Sequence, residues 1–373
     1  MENLGMNNSN LFNGVFKGKK VLVTGDTGFK GSWLAIWLKE LGAFVYGYAL
    51  PPLRKEDNFV TCRLSSEISH LDGDIRDLNS LSNYCENIQP DIIFHLAAQP
   101  LVLESYKNPH YTFETNVMGT VNVFETARRI KSIKAVINIT SDKCYQNNES
   151  IWSYREYDPI GGKDPYSASK GCSELVTNSY LNSFFNDNSF CVIASARAGN
   201  VIGGGDWADY RIVPDFFRSI KMNNPLIVRN PYSTRPWQHV FEPISGYLHL
   251  TSLLLQYKNK FSGAWNFGPG DQSDYTVSEL VNTLIKFYGK GEVIFEKATN
   301  KLHEAANLKL DISKAISYLN WKPVLTFEES VKFTVDGYSG EQDNLYERRK
   351  KQIETYVELA ASRKTGWAGL NER

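Results

Sequence analysis

The fold is decided by residues 21–31, which read VLVTGDTGFKG. A short apolar run with β-branched residues precedes three glycines, and apolar residues at helical spacing follow them. Gly25 permits a tight turn, Gly28 lets the backbone approach a pyrophosphate, and Gly31 permits close packing of a helix on a strand. The unpaired N–H groups at the start of that helix favour an anion. The stretch therefore predicts a strand, a turn that binds a dinucleotide, and a helix.

Apolar runs alternate with helical patterns through the first half of the chain. Short, continuously apolar runs recur at residues 21–23, 44–46, 92–94, 135–137 and 192–194. Runs of this kind are typical of strands buried on both faces of a parallel sheet. The alternation predicts the α/β class, with a doubly wound, Rossmann-like parallel sheet and a smaller C-terminal substrate-binding lobe.

The character of the sequence changes near residue 200, which suggests a division of the chain. Glycines at 203–205 and a series of prolines interrupt the pattern, and a helix is predicted at Val277–Tyr288. The expected parts are a loose tail at 1–16, a dinucleotide-binding domain at 17–200 to which 240–268 return, a substrate lobe from 201–239 and 269–335, and a helical extension at 336–373. Ligands of open α/β sheets bind at the carboxyl ends of the strands, so we expect the substrate between the two lobes.

Two further segments agree with a dinucleotide site. A carboxylate at Asp74, after the predicted third strand, can accept a hydrogen bond from an adenine amine, and the small residues Ala97 and Ala98 after the fourth leave room for a dinucleotide. Either segment is also compatible with plain packing. The residues that we expect to contact the dinucleotide are Gly25, Thr27, Gly28, Phe29, Lys30, Gly31, Asp74, Ile75, Leu96, Ala97, Ala98, Asn116, Tyr166 and Lys170.

The glycine pattern leaves the choice between NAD and NADP open. A carboxylate for the ribose 2′-hydroxyl is expected at the end of the second strand, roughly 20 residues after the glycines. Residues 46–51 read YGYALP and contain no acid, while Arg54, Lys55 and Lys30 lie near in sequence.

Composition excludes several classes of protein. Lys plus Arg and Asp plus Glu number 41 each, so there is no basic field for nucleic acid or a membrane surface. The five cysteines form no CxxC pair, which favours a reducing compartment over a disulfide framework. The six histidines show no metal-binding spacing, so no metal site is expected. With no signal peptide and no apolar run long enough to cross a bilayer, we expect a cytoplasmic protein.

Tyr166 and Lys170 are four residues apart and share one face of a predicted helix. A nearby ammonium favours ionisation of a phenol and lowers its pKa toward neutrality. Such a phenolate takes a hydroxyl proton while hydride leaves carbon for a nicotinamide. Asn116 is a candidate for orienting Lys170 through backbone or water, and a packing role for Asn116 stays open.

Ser141, Asp142 and Lys143 follow the predicted strand at 135–139. They are therefore expected at the carboxyl edge of the sheet, beside the ligands. Ser141 can hydrogen-bond the reacting oxygen, and Asp142 and Lys143 add an acid and a base that simple alcohol oxidation does not need. The alternative is an exposed turn with a solvated ion pair.

A set of strings in fixed order carries a family resemblance. In chain order they are TGDTGFKG, HLAAQPLV, NVMGTVNVFE, NITSDKCY, YSASKGCSELV, RAGNVIGGGDW, RPWQHVFEP, WNFGP, HEA and LNWKP. Over residues 15–335 the chain resembles the bacterial CDP-glucose 4,6-dehydratases, which are extended short-chain dehydrogenases/reductases. The strings SDKCY, GGGDW and RPWQHV are the most specific.

The resemblance implies a reaction and roles for the residues. In this family the 4-hydroxyl of the hexose of a CDP-sugar is oxidised with NAD, water is eliminated across C5 and C6, and the hydride returns to C6. It implies Tyr166 as the C4 base, Lys170 as its partner and Ser141 as the orienting donor. Asp142 is then the acid for the departing hydroxyl and Lys143 the C5 base. The implied substrate contacts are Gln99, Asn200, Arg211, Arg235 and His239. Relatives usually pair through helices beside the YxxxK segment, so a homo-oligomer, a dimer or tetramer, is expected.

Two other interpretations remain. A dehydratase for another nucleotide sugar, a 4-epimerase or a 4-ketosugar reductase keeps Tyr166, Lys170 and Ser141, although the last two enzymes have no need for Asp142 and Lys143. A dinucleotide-binding regulator on the same fold needs none of them.

Overall fold

The computed structural model describes residues 8–186, 189–270, 274–296, 308–340 and 343–368. Within them the strands β1 to β13 are Lys20–Thr24, Phe44–Ala49, Ser69–Asp72, Ile92–His95, Ala135–Ile139, Val192–Ala198, Val201–Ile202, Leu226–Val228, Thr234–Pro236, Gln238–His239, Gly263–Phe267, Asp274–Thr276 and Val293–Phe295. The α-helices α1 to α13 are Phe29–Glu40, Asn58–Thr61, Leu64–Glu67, Leu78–Ile88, Val102–Lys107, Pro109–Phe113, Gly119–Arg129, Pro165–Ser183, Ile212–Lys221, Phe241–Tyr257, Val277–Tyr288, Phe327–Tyr338 and Leu345–Ser362. Single π-helical segments lie at Glu114–Met118 and Ala315–Leu319, and 3₁₀ turns at Asn8–Gly14, Asp142–Cys144 and Lys258–Phe261.

Seven parallel strands form the central sheet in the order β11-β6-β5-β4-β1-β2-β3. The residues of β4, β5 and β6 are all buried, which explains the apolar runs at 92–94, 135–137 and 192–194. The strand order reverses between β1 and β4, and in a doubly wound sheet this switch opens a crevice at the carboxyl ends of the strands. The predicted doubly wound, Rossmann-like α/β sheet is confirmed.

Apolar side chains cover both faces of the sheet because alternate residues of each strand point to opposite sides. Val21 and Val23 join the cluster beneath α1 and α10, which includes Trp37 and Phe241. Leu22 joins the opposite cluster beneath α4 and α7. The carboxyl edge of the sheet is thereby held rigidly between two packed layers.

A separate apolar cluster forms the core of a smaller lobe. Its members come from α9, α11 and α12 and from the paired strands β8 and β13. The predicted helix Val277–Tyr288 is confirmed, and a capping box between Thr276 and Glu279 fixes its start. Gly289, at a φ of 82°, ends it in the left-handed conformation that glycine favours. The cluster fits the substrate lobe that we propose for 201–239 and 269–335.

The loose tail predicted for residues 1–16 is wrong for residues 11–16. Leu11, Phe12 and Phe16 are 7%, 1% and 0% exposed, and they belong to the main core. Phe12 stacks on Trp367 with ring centroids 5.0 Å apart. Because Trp367 is so distant in sequence, the local polar composition did not reveal this contact. Residues 1–7 of the predicted tail lie outside the described residues.

The C-terminal helix α13 packs on the main core rather than extending away from it. Ile353, Tyr356 and Val357 are buried in the same cluster as α1. The Arg349 guanidinium lies 5.0 Å from the centre of the Trp33 ring. Among the described helices, none is long and apolar enough to cross a membrane.

Candidate functional site

The glycine turn between β1 and α1 has no space for side chains at its key positions. Gly25 has a φ of +78°, and a Cβ there would lie 2.7 Å from the backbone nitrogen of Ala97. A Cβ at Gly31 would lie 2.1 Å from the Gly25 carbonyl oxygen. Helix α1 begins at Phe29, and Gly28 before it brings no side chain to cap the first N–H groups. The turn therefore fits the phosphates of a dinucleotide.

Side chains of the turn fasten it to the neighbouring strands. The Thr27 hydroxyl donates to the Leu50 carbonyl oxygen at 2.9 Å, at the end of β2. Asp26 is fully buried, and its Oδ2 lies 2.7 Å from His70 Nδ1 on β3. Burial raises the pKa of Asp26, and the contact with His70 opposes this. The sequence analysis did not single out Asp26, although an acid inside a glycine turn was a visible signal.

The segments after β3 and β4 differ in how much room they leave for a dinucleotide. Asp74 is committed to Arg76, whose Nη2 lies 2.6 Å from its Oδ2, and this hydrogen bond lowers the pKa of Asp74. Ile75 is 4% exposed and packs against Gly119, where a Cβ would lie 2.9 Å from its Cγ2. Leu96, Ala97 and Ala98 are half-buried at the carboxyl end of β4. This last segment fits the passage of a dinucleotide, whereas Ile75 packs in the core.

Tyr166 and Lys170 lie on the first turns of α8, which begins with Asp164 accepting from the Ser167 N–H at 3.0 Å. Burial raises the pKa of Tyr166 to about 12, although the neighbouring Ser141 hydroxyl opposes this rise. Burial lowers the pKa of Lys170 to about 8. The Lys170 Nζ donates to the Ile139 carbonyl oxygen at 3.4 Å. The predicted near-neutral phenol is therefore not produced by the protein residues alone, because desolvation outweighs the charges around Tyr166.

The turn after β5 is buried and internally bonded. Ser141 and Asp142 are 8% and 4% exposed, and the Ser141 hydroxyl donates to Asp142 Oδ1 at 2.9 Å. Burial raises the pKa of Asp142, while the charges of Lys143 and Arg235 oppose it. Lys143 is half-buried, and its N–H donates to Ser141 Oγ at 3.3 Å. The turn is thus not a solvated ion pair, and Asp142 is disposed to hold a proton.

Lys30, on the first turn of α1, joins the same group of charges. Its Nζ lies 3.4 Å from the Tyr247 hydroxyl. Burial, together with the charges of Lys170 and Arg211, lowers the pKa of Lys30 to about 7. The crevice therefore contains a second amine that is easily deprotonated.

Two arginines reach the crevice from the smaller lobe. Arg211, with its side chain 35% exposed, pairs with Asp206 Oδ2 at 2.8 Å, and its charge acts on Tyr166. Arg235 donates to the Thr234 carbonyl oxygen at 2.7 Å. Asn200 is half-buried after β6. These three residues are accessible to a substrate, and arginine suits bidentate contacts with a diphosphate.

Two predicted substrate contacts are buried among protein neighbours. Gln99 is 5% exposed; its Nε2 donates to Thr112 Oγ1 at 2.9 Å and its Oε1 accepts from the Leu101 N–H at 2.6 Å. His239 is 0% exposed among Phe241 and other aromatic rings, and burial lowers its pKa to about 3. Both side chains are held by protein neighbours, and the substrate contacts that the resemblance implies for them stay predictions.

Asn116 lies in the π-helical segment before α7 and is 2% exposed. Its Oδ1 accepts from the Gln99 N–H at 2.8 Å, and its Nδ2 donates to Ser169 Oγ at 2.8 Å. Its side chain thus connects the segment after β4 to α8 through Ser169, and its orientation of Lys170 through backbone or water stays a prediction.

Sequence reasoning missed a buried ion pair below the catalytic candidates. Glu174 Oε2 lies 2.7 Å from Arg197 Nη2, and both residues are 4% exposed. Glu174 follows Lys170 by four residues, as Lys170 follows Tyr166, so the helical spacing was the signal that could have found it.

Comparisons with known proteins place this site in context. A profile of the GDP-mannose 4,6 dehydratase family matches residues 22–334. A CDP-glucose 4,6-dehydratase of Salmonella typhimurium is 51% identical over 312 residues, which cover 83% of this chain and 87% of that protein.

Solved structures of low sequence identity share the fold. An epimerase of Methanothermobacter thermautotrophicus has a TM-score of 0.73 at 24% identity, over 90% of this chain and 96% of that one. A dTDP-glucose 4,6-dehydratase of Bacillus anthracis, solved in complex with NAD, has a TM-score of 0.70 at 18% identity, over 91% of this chain and 100% of that one.

Proposed function

The chain belongs to the GDP-mannose 4,6 dehydratase family, and we propose that it converts CDP-glucose to CDP-4-keto-6-deoxyglucose with NAD as its cofactor. The observation that carries the proposal is the turn Ser141-Asp142-Lys143 at the carboxyl end of β5, whose Ser141 and Asp142 are buried beside Tyr166. The 51% identity to a CDP-glucose 4,6-dehydratase supports the choice of substrate.

The residues of the glycine turn fit the proposed cofactor. The first N–H groups of α1 would hold its pyrophosphate, and Ala97 and Ala98 leave space beside the turn. When bound, NAD supplies the hydride acceptor for C4 and the hydride donor for C6.

In the first half of the reaction Tyr166 takes the proton of the C4 hydroxyl. Ser141 holds that oxygen, and the Lys170 ammonium stabilises the phenolate that Tyr166 must form. Because burial raises the pKa of Tyr166 to about 12, a positive charge close to the phenol is needed for this step.

In the second half the new 4-ketone acidifies the C5 proton. Lys143 removes this proton, Asp142 donates a proton to the C6 oxygen, and the C6–O bond breaks to release water. Hydride then adds to C6 and the proton returns from Lys143 to C5. Tyr166 releases its proton to solvent and Asp142 regains one from solvent, so the net change is the loss of one water. The raised pKa of Asp142 suits its role as an acid.

A 4-epimerase is the second candidate, since an epimerase shares the fold. Epimerisation uses Tyr166, Ser141 and Lys170, but it gives a buried Asp142 and its neighbour Lys143 no proton to move.

The test is incubation of the purified protein with CDP-, UDP-, dTDP- and GDP-glucose. We expect a 4-keto product, detected by its ultraviolet absorbance in base, to form fastest from CDP-glucose. A C4 epimer without a 4-keto product would favour the second candidate, and a faster reaction with another nucleotide would move the substrate to that sugar.

We also propose a cytoplasmic homo-oligomer that binds neither nucleic acid nor membrane. The five cysteines form no disulfide, in keeping with a reducing compartment. Met118 beside α7 and Leu175 on α8 are 50% and 59% exposed and mark an apolar surface beside the catalytic helix. Substitution Leu175→Glu should shift the protein toward monomer in sedimentation, and an unchanged mass would contradict this surface.

A further inference from the structure

Three side chains follow one another along the inner face of α8. Tyr166, Lys170 and Glu174 are separated by four residues each and are 8%, 7% and 4% exposed. The proposed reaction uses the first two, and it leaves a buried carboxylate one turn further along without a role.

Glu174 joins the helix to the strand that carries the catalytic turn. Its Oε1 accepts a hydrogen bond from the hydroxyl of Thr140, the residue directly before Ser141. One turn earlier, the Lys170 Nζ donates to the carbonyl oxygen of Ile139 at 3.4 Å. Helix α8 therefore holds the end of β5 at two successive residues.

The other oxygen of Glu174 faces β6. Its Oε2 accepts from Ser195 Oγ and from Arg197 Nη2, each at 2.7 Å. Burial opposes ionisation of Glu174, but Arg197 and the two hydroxyls outweigh it, so the pKa of Glu174 is lowered and a carboxylate is present. A buried ion pair by itself adds little to stability because its desolvation offsets the attraction.

The charge of Glu174 acts on Lys170. Glu174 is the largest influence that opposes the effect of burial on the Lys170 pKa. The other groups that interact with Lys170 are the Cys144 thiol, which burial keeps neutral, His95 on β4, and Lys30 on α1. Arg197 lies beyond Glu174 and also contacts the Tyr145 hydroxyl at 2.7 Å.

We propose that Glu174 is a positioning residue of the reaction, which holds the turn Thr140–Lys143 against α8 and supplies the negative charge that faces Lys170. The inference rests on the proposed function, because Tyr166 and Lys170 matter only if they carry the oxidation at C4. Arg197 balances the charge of Glu174 and keeps it buried.

The charge is tested by two variants of opposite sign. Lys170 must stay charged, so activity falls as the pH rises through its pKa. Glu174→Gln removes the negative charge, and the alkaline limb of kcat/KM should move to lower pH by about one unit. Arg197→Gln leaves the negative charge unbalanced and should move the same limb to higher pH, with the double variant between them. The ionisation of Tyr166 can also be followed without turnover, as the part of the tyrosinate absorbance that is missing in the Tyr166→Phe variant. The pH midpoint of this absorbance should shift in the same directions as the alkaline limb.

The positioning is tested by two variants that each remove one hydroxyl donor from Glu174. Thr140→Val breaks the link to the catalytic turn and should lower kcat about tenfold or more with little change in KM. Ser195→Ala breaks the matched link to β6 and should leave kcat within about twofold. Circular dichroism establishes that each variant is folded.

The outcomes separate the two proposals. A wild-type protein that forms no 4-keto sugar contradicts the proposed function itself. An active wild type whose alkaline limb stays in place in both charge variants overturns the electrostatic role of Glu174. Equal effects of Thr140→Val and Ser195→Ala overturn its positioning of the turn.

Discussion

At the scale of single residues, burial drives Tyr166 and Lys170 toward their neutral forms. The pKa of Tyr166 rises to about 12 and that of Lys170 falls to about 8. Near neutral pH the pair is therefore a phenol beside an ammonium, and proton removal from a substrate needs further positive charge close to Tyr166. An oxidised nicotinamide held in the crevice would supply such a charge.

Removal of the Tyr166 hydroxyl should stop hydride transfer without unfolding the protein. Tyr166→Phe deletes the group that carries the proton, and general-base catalysis is worth about 10² to 10⁴-fold in rate. We expect a loss of this size in 4-keto product, with unchanged bound dinucleotide as the control. Turnover near that of the wild type would contradict the assignment of Tyr166 as the base at C4.

Substitutions of Asp142 and of Lys143 should separate the removal of the C5 proton from the loss of the C6 hydroxyl. Lys143→Met should still pass hydride from C4 but fail to exchange the C5 proton with deuterated solvent, because the C5 base is gone. Asp142→Asn should retain this exchange and eliminate water slowly, because only the acid at C6 is lost. The measurement is mass spectrometry of the sugar, and wild-type deuterium uptake by Lys143→Met would exclude Lys143 as the base.

At the scale of elements, local sequence patterns predicted the strands and helices that pack against their chain neighbours. The apolar runs of β4 and β5 and the helix Val277–Tyr288 are where periodicity indicates them. The pattern failed at residues 11–16, since the polar context hides three apolar side chains whose partner, Trp367, lies at the other end of the chain.

This correction predicts a stability effect near the N-terminus. Phe16→Ala should destabilise the protein by about 3–5 kcal/mol, because Phe16 is 0% exposed in the main core. Phe44→Ala is the matched control, since Phe44 is 62% exposed and its loss should change stability by less than about 0.5 kcal/mol. Equal unfolding midpoints in urea for the two variants would contradict the burial of Phe16 and support the predicted loose tail.

In the candidate site, too, the sequence predicts which motifs come together better than it predicts the surroundings of each side chain. Motif spacing was enough to bring Ser141, Asp142 and Tyr166 together, because each lies at the carboxyl edge of the sheet or on the helix beside it. Spacing does not reveal how deeply a side chain is buried. Gln99 and His239, for which the resemblance implies substrate contacts, are 5% and 0% exposed.

At the scale of the whole molecule, buried histidines should make stability depend on pH. Burial lowers the pKa of His95 and His239 to about 3 and that of His249 to about 4, from an ordinary value of 6.5. The folded protein therefore favours neutral histidine. Their contribution is fully present above pH 6.5 and is lost as the pH falls toward about 4 for His249 and about 3 for His95 and His239.

The thermal unfolding midpoint should therefore drop between about pH 7 and about pH 5. His249→Gln is expected to flatten this dependence, because glutamine cannot become charged and still offers a donor to the Leu319 carbonyl oxygen, which His249 contacts at 2.6 Å. An unfolding midpoint that stays constant over this range in the wild type would contradict the neutral buried histidines.

The fate of the hydride distinguishes the proposed reaction of the whole protein from the other reactions that enzymes of this fold catalyse. The central claim is that hydride leaves C4 and returns to C6 of the same sugar after water has been lost. The direct measurement is incubation with CDP-glucose that carries deuterium at C4, followed by nuclear magnetic resonance of the product. The account predicts deuterium in the C6 methyl group of a 4-keto-6-deoxy sugar and no build-up of reduced cofactor. Deuterium that remains at C4 of an epimerised hexose, or that accumulates in reduced cofactor, would contradict it.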